Sequence, residues 1–185
     1  KTVQFSIEPG RDIFADTCTF LITIKRIIRE RNFANISTDG SYVYMPSAMI
    51  KSRQHQVEFF DSKFNSIRGR NMLVKLSGST TMSGDFILPG MVKAPDTVKQ
   101  GNAIAIKDIG AYGATQHMEF LNKKPCPEVL ITSRGNLLLL TRRGDDNDRV
   151  RYTLRKPEKV GYSALLKLVP KLRNKGKRSI ISSYA

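Results

Sequence analysis

Apolar and polar positions along this chain mostly alternate with a period of two, in short stretches separated by turn residues. Residues 2–7, with Val3, Phe5 and Ile7 against Gln4 and Ser6, predict a strand. Residues 12–17 predict a short helix or crossing segment. Residues 18–28 are long, apolar and β-branched (Thr19, Ile22, Thr23, Ile24, Ile27, Ile28), a density that favours a pleated surface. Residues 33–38 predict the next strand, and the step between them fits a hairpin. Residues 42–51 read as loop or as one helical turn. Further strands are predicted at 57–60, 72–76, 102–106, 129–132, 137–141 and 149–154. A mobile polar loop is expected at 61–70, and Phe86-Ile87-Leu88-Pro89 runs into a turn. Ser133-Arg134-Gly135-Asn136 reads as a hairpin tip. Many short strands, regular turn signals and few helical periods predict a mainly β protein, a barrel or sandwich. Residues 18–28 and the hairpin around Gly135 are expected in one barrel. The end of the chain departs from this pattern. Tyr162, Leu165, Leu166, Leu168, Val169 and Leu172 recur near helical spacing among lysines, so a short basic amphipathic helix and a disordered end are expected.

Composition narrows the class. The 185 residues are 40% hydrophobic, enough for one domain with a core, and no apolar run reaches membrane-spanning length. The chain opens on Lys1 rather than Met, as a processed product or an excised piece would. Cys18 and Cys126 form neither a disulfide framework nor a metal site, and are expected as reduced, buried thiols of a cytoplasmic protein. His55 and His117 lack metal-ligand spacing and read as surface or half-buried side chains. The formal charge of +15 invites a nucleic-acid-binding reading. Its distribution weakens that reading. Lys25, Arg26, Arg29 and Arg31 cluster early, Arg142 and Arg143 sit mid-chain, and Lys167 to Arg178 cluster at the end, with no aromatic or finger signature beside them.

Two motifs carry chemistry. Glu8-Pro9-Gly10-Arg11 ends the first predicted strand, and Gly110-Ala111-Tyr112-Gly113 follows about a hundred residues later. A carboxylate, a glycine turn and an arginine suit a cofactor with a cationic ring and an anionic phosphate. A plain Pro-Gly turn is the alternative for the first motif, and a core tyrosine the alternative for Tyr112. Between and after these motifs come Asp39-Gly40, the run from Gly78 to Asp85, Gly101-Asn102, and Pro125-Cys126-Pro127-Glu128-Val129-Leu130.

In this order the six segments resemble the C-terminal portion of the fold-type III pyridoxal-phosphate decarboxylases, the ornithine/diaminopimelate decarboxylase group. The resemblance covers roughly residues 1–140. It implies a Greek-key-like β-barrel domain attached to the last strand of a TIM-like barrel. Residues 1–17 would be that strand and a crossing segment, 18–155 the β-barrel, and 156–185 a basic tail. It also implies pyridoxal 5'-phosphate as cofactor, an amino-acid substrate and a homodimer. Glu8 would face the ring nitrogen and favour its protonated form. Gly10, Arg11 and Tyr112 would hold the phosphate. Thr81 stands where the family has a catalytic cysteine, and Met82 where it has an acid. Met45 and Met49 stand near the family's reader of a distal carboxylate. With these charge readers absent, diaminopimelate, ornithine and lysine would be poor substrates. No lysine here sits in the context of the family's Schiff-base lysine, so these residues alone would be inactive. The alternatives are a non-catalytic homologue acting as a regulatory or binding protein, and a basic β-barrel that binds nucleic acid.

Overall fold

The computed structural model describes residues 3–50 and 55–150. The chain divides into two units, Lys1–Gly144 and Asp145–Ala185, and the described part of the second is Asp145 with one short helix after it. In the first unit, β1 (Phe20–Arg29) and β2 (Ala34–Thr38) form an antiparallel hairpin. The Glu30 N–H closes it on the Phe33 carbonyl at 2.8 Å. A 3-10 turn (Tyr42–Tyr44) and a one-turn helix, α1 (Pro46–Ile50), follow. Then come β3 (Val57–Phe60), β4 (Asn71–Ser77), β5 (Val92–Pro95) and β6 (Ala103–Ile106). These six strands make one sheet in the order β3-β6-β1-β2-β4-β5, a Greek-key-like arrangement of non-consecutive neighbours. Every pair is antiparallel except β2–β4. The sheet curls until its two ends, β3 and β5, approach each other, which gives a nearly closed barrel.

β1 makes that curl possible. Its first half, Phe20 to Thr23, pairs with β6, and its second half, from Ile24 on, pairs with β2. At the changeover Ile24 faces Thr38 while Arg26 faces Ser37, so Lys25 is an extra residue, a β-bulge. A bulge bends the strand and sharpens its twist, as a barrel corner requires. Asp39 reinforces the corner. Its carboxylate accepts the Thr23 N–H at 2.7 Å and lies 3.2 Å from the Lys25 ammonium.

Alternation places the core. In β2, Ala34, Ile36 and Thr38 are buried while Asn35 and Ser37 are half-buried. Ile22 and Ile24 from β1, Val74 and Leu76 from β4, Ala94 from β5 and Ile104 and Ile106 from β6 meet them inside, with Met45, Ala48, Phe59 and Ile87. Fully burying each aliphatic side chain is worth about 1.5–3 kcal/mol.

Several expectations need correction. Residues 3–10 form no strand. Val3, Phe5 and Ile7 do alternate, but they are exposed, and among the described residues no strand lies alongside to pair with them. The hairpin around Gly135 forms as expected, from β7 (Glu128–Ile131) and β8 (Leu137–Thr141), yet it makes its own two-stranded sheet outside the barrel. Turn chemistry dictates that two strands pair with each other, not which sheet they join. Residues 149 and 150, expected in a strand, end the helix α2 (Asp146–Val150). Residues 151–154 and the expected tail helix lie outside the described residues. β5 was not expected, since four residues ending in proline carry little strand signal. The 61–70 loop is laced together by Asp61, whose carboxylate accepts the N–H groups of Lys63 and Asn65 and the Asn65 amide at 2.8–3.0 Å. Cys18 and Cys126 are free thiols, but Cys18 is exposed and Cys126 half-buried. Among the described residues no helix is long and apolar enough to cross a membrane.

Ile36 tests this packing, because it is fully buried between β1 and β4. Ile36→Ala should lower unfolding free energy by about 2–5 kcal/mol in urea denaturation. A loss below about 1 kcal/mol would mean that this position is not in a close-packed core.

Candidate functional site

One end of the barrel gathers the amino end of β1, the carboxyl end of β6 and the loops after β2 and β4. The segment carrying Glu8 and Gly10 enters it as extended chain and turns through two 3-10 helices, Arg11–Ile13 and Ala15–Thr17. The loop leaving β6 docks directly on these turns. The Ile109 N–H donates to the Cys18 carbonyl at 3.1 Å and the Gly110 N–H to the Ala15 carbonyl at 2.9 Å. A Cβ at Gly110 would run into the Phe14 carbonyl and the Thr17 hydroxyl, so only glycine permits this approach. The next residues then reach Arg11. Its Nη1 donates to the Ala111 carbonyl at 3.3 Å, and its guanidinium carbon lies 5.2 Å from the centre of the Tyr112 ring. Tyr112 is held in the left-handed region at φ 63°, unusual for a tyrosine, and its ring is about half exposed. Open space surrounds the position where Gly10 would carry a Cβ. The structure therefore brings Gly10, Arg11 and Tyr112 together across a hundred residues. Glu8 lies exposed on the segment just before them.

A second group is organised by Asp85, which is 3% exposed. Its Oδ1 accepts from the Ser41 hydroxyl at 3.0 Å and the Tyr42 N–H at 2.9 Å. Its Oδ2 accepts from the Thr80 N–H at 2.8 Å and the Thr80 hydroxyl at 2.6 Å. The Gly78 N–H reaches the Asp85 carbonyl at 2.7 Å, and a Cβ on Gly78 would collide with the carboxylate. Thr80 is thus the engaged threonine of this loop, while Thr81 is exposed on its outer side. Met82 sits beside it, with its sulfur 3.8 Å from the Tyr42 hydroxyl. The Lys123 ammonium crosses to the same loop and donates to the Ser79 hydroxyl at 2.6 Å. Sequence reading assigned Asp85 no role. The available signal was the pairing of Gly78 with an acid seven residues on, inside a run otherwise free of charge. Met45, expected near a substrate, is 1% exposed and packed in the core. As the residue leading into α1, it follows the buried face of that turn.

Tyr44 centres an aromatic cluster, stacked on His117 and tilted against Phe20. The Tyr44 ring centre is 5.8 Å from that of Phe20 and 5.4 Å from that of His117. The Met118 N–H donates to the Val43 carbonyl at 2.9 Å, joining the segment after Tyr112 to the loop that Asp85 grips. Burial shapes the titration of this cluster. It holds the His117 imidazole below its usual value, against the opposing pull of Glu119 and a hydrogen bond to the Lys123 carbonyl. It also pushes the Tyr44 phenol and the Cys126 thiol up, with Arg143 opposing both.

No family model matches the sequence. Solved structures do match in fold. A diaminopimelate decarboxylase superposes with a TM-score of 0.72 at 19% identity, over 80% of this chain and 37% of that one. The M. jannaschii diaminopimelate decarboxylase in complex with L-lysine gives 0.66 at 22% identity, over 81% of this chain and 33% of that one. The arginine decarboxylase of Paramecium bursaria Chlorella virus bound to agmatine gives 0.54 at 14% identity, over 62% and 31%. The chain has the fold of the C-terminal β-barrel part of the fold-type III decarboxylases. It spans about a third of the length of the structures it matches.

Asp85→Ala should cost about 3–5 kcal/mol in urea denaturation, because it strands several donors in the interior. An effect of a few tenths would mean that water already serves those donors. The His117 imidazole should titrate below 6.5 when its ring protons are followed by NMR. The sign follows from burial. The unfolded chain takes up this proton first as pH falls, so His117 lowers folded-state stability below about pH 6.5. A midpoint at or above that value would place the ring in water.

Proposed function

We propose that this chain is the C-terminal β domain of a pyridoxal-phosphate-dependent amino-acid decarboxylase, with residues 1–17 belonging to the barrel that carries the rest of the cofactor site. The observation that supports this best is the junction of the two motifs. Arg11 reaches the Ala111 carbonyl and lies over Tyr112, so a cation, a phenol and a glycine turn share one surface. This donor set fits a phosphate monoester. A guanidinium gives it charge-assisted hydrogen bonds, a side-chain-free backbone at Gly10 allows close approach, and a phenol adds a further donor.

Pyridoxal phosphate, when bound, supplies the electron sink that stabilises the charge left by departing carbon dioxide. The chain's own residues do the rest. Arg11, Gly10 and Tyr112 would hold the cofactor's phosphate. Glu8, three residues before Arg11, would stand near the ring nitrogen, where its negative charge would favour the protonated form. Thr81, exposed on the Asp85-held loop, offers a hydroxyl to a substrate.

Exposed apolar surface supports the reading that more protein covers this domain. Val3, Phe5 and Ile7 are 71–89% exposed in the leading segment. Leu137, Leu138, Leu139 and Leu140 are all exposed on β8, with Val129, Leu130 and Ile131 exposed on β7. Contiguous apolar patches of this kind mark interaction surfaces. The remainder of the enzyme and a homodimer partner are the proposed cover. The free thiols accord with a cytoplasmic setting. Thr81 and Met82 carry no charge, which favours an amino acid without a distal ionic group. The same feature supports the second reading, a non-catalytic homologue. A visible absorption band from cofactor attached to lysine in the full-length protein separates the two.

In the full-length protein, Arg11→Ala and Tyr112→Phe should each weaken pyridoxal-phosphate binding by about 1.5–3 kcal/mol, the worth of a hydrogen bond to a charged group. Fluorescence titration of the cofactor reads this directly. If neither substitution moves the affinity, the phosphate site is assigned wrongly.

A further inference from the structure

The opposite end of the barrel holds a basic cleft that the proposed reaction leaves unused. Its volume is about 430 Å³, and it lies between the last turns of β1 and the loop joining β5 to β6. Arg26, Arg29, Lys99 and Gln100 line it with Asp96, over Val98. β1 is ten residues long from Phe20 to Arg29, so at the rise of a strand the cleft is roughly 30 Å from the Arg11–Tyr112 end.

Three observations make this more than a charged surface. First, the cations lack acids. Among the described residues the ion pairs are Lys25–Asp39, Arg70–Asp96 and Lys107–Glu58, and none involves Arg26, Arg29 or Lys99. Second, the one carboxylate in the cleft is already engaged from outside it, by the Arg70 guanidinium at 3.3 Å. Third, the walls are held in place. Arg29 Nη2 donates to the Asp96 carbonyl at 3.0 Å, which orients the guanidinium and leaves four of its five N–H donors for other partners. The Lys99 N–H donates to the Asn102 side chain at 2.6 Å, the Gly101 N–H to the Ile24 carbonyl at 2.9 Å, and Val98 is buried beneath. Gly101 at φ 85° closes this turn.

We infer that this cleft binds an oligophosphate group. Three cations of both kinds in the lining of one cleft suit a compact ligand with several negative oxygens. Arginine takes two oxygens of one phosphoryl group in a fork, and lysine acts on the next as a point charge. A monoanion or a simple carboxylate would leave most of this charge unmatched. The cleft is a binding site only, since no nucleophile or metal ligand set lies in its lining.

The test uses the 185-residue chain and sodium tripolyphosphate, followed by isothermal titration calorimetry at about 50 mM salt, where screening is modest. One saturable site is expected. The Arg29→Ala/Lys99→Ala double variant should weaken binding about tenfold or more, as loss of charge-assisted contacts implies. Arg134→Ala, on the exposed hairpin tip, should leave it unchanged. Urea denaturation of each variant shows whether it is folded, and Arg26→Ala serves as the second probe if the double variant is not. Absence of saturable binding overturns the inference. So does an equal loss in Arg134→Ala, which would mean unspecific charge attraction, or a loss in Arg11→Ala, which would put the ligand at the other end. A short single-stranded oligonucleotide that binds where tripolyphosphate does not also overturns it, in favour of a nucleic-acid surface.

Discussion

A buried carboxylate survives without a cation beside it when hydrogen-bond donors enclose it, and Asp85 is in that situation. Among the described residues it joins no ion pair, and it accepts from Ser41, Tyr42 and Thr80. The loops after β2 and β4 meet where the Ser79 N–H and hydroxyl donate to the Gly40 carbonyl, each at 2.8 Å. The carboxylate adds two further bonds between them, from Ser41 and Tyr42. The same Ser41 hydroxyl accepts the Val43 N–H, and the Val43 carbonyl takes the Met118 N–H, so the order extends to the segment that follows Tyr112. Asp85 is thus one link in a run of hydrogen bonds from the threonine loop to the segment that follows Tyr112. Its cost is desolvation, which only complete enclosure offsets.

Much of the barrel was legible because its strands alternate cleanly. The pattern at residues 34–38 appears in the structure as buried and half-buried positions in turn. Glu8-Pro9-Gly10-Arg11 and Gly110-Ala111-Tyr112-Gly113 were legible as two motifs, and the structure brings Arg11 to Ala111 and the Tyr112 ring. What escaped was of another kind. The alternation of Val3, Phe5 and Ile7 is real, yet a strand is a relation between chains, and the described residues contain no neighbour for it. Asp85 leaves no periodic trace, since its donors come from positions 41, 42 and 80, which only the fold brings near. The side chain at position 80 rather than 81 turns inward, a distinction one residue wide that no composition reveals. Cys18 was expected to be buried because apolar residues follow it, but it precedes the first paired residue of β1 and stays exposed.

The two ends of the barrel solve different problems with the same strand. At its amino end β1 meets aromatic rings and glycine turns that admit close backbone approach. At its carboxyl end it spreads arginines around a short, well-anchored loop. The core between them is mainly aliphatic. Chemistry is therefore confined to loops whose positions the strands dictate, the usual division of labour between scaffold and site.

The extra residue in β1 has a consequence for how this sequence can change. On either side of Lys25 the chain obeys the same two-residue rhythm, but the two halves are out of phase. Ile22 and Ile24 point inward before the break, while Arg26 and Arg29 are exposed after it. The identity of the side chain at position 25 matters little to that arrangement, since its ion pair with Asp39 is exposed to water. Its presence matters a great deal. Removing one backbone unit there would leave Ile24 and Ile27 facing inward opposite Thr38 and Ile36, but it would straighten the strand and take away the bend on which the barrel corner depends. Lineages of this domain would then exchange the residue freely while keeping the count, so its signature across relatives would be a conserved length rather than a conserved letter.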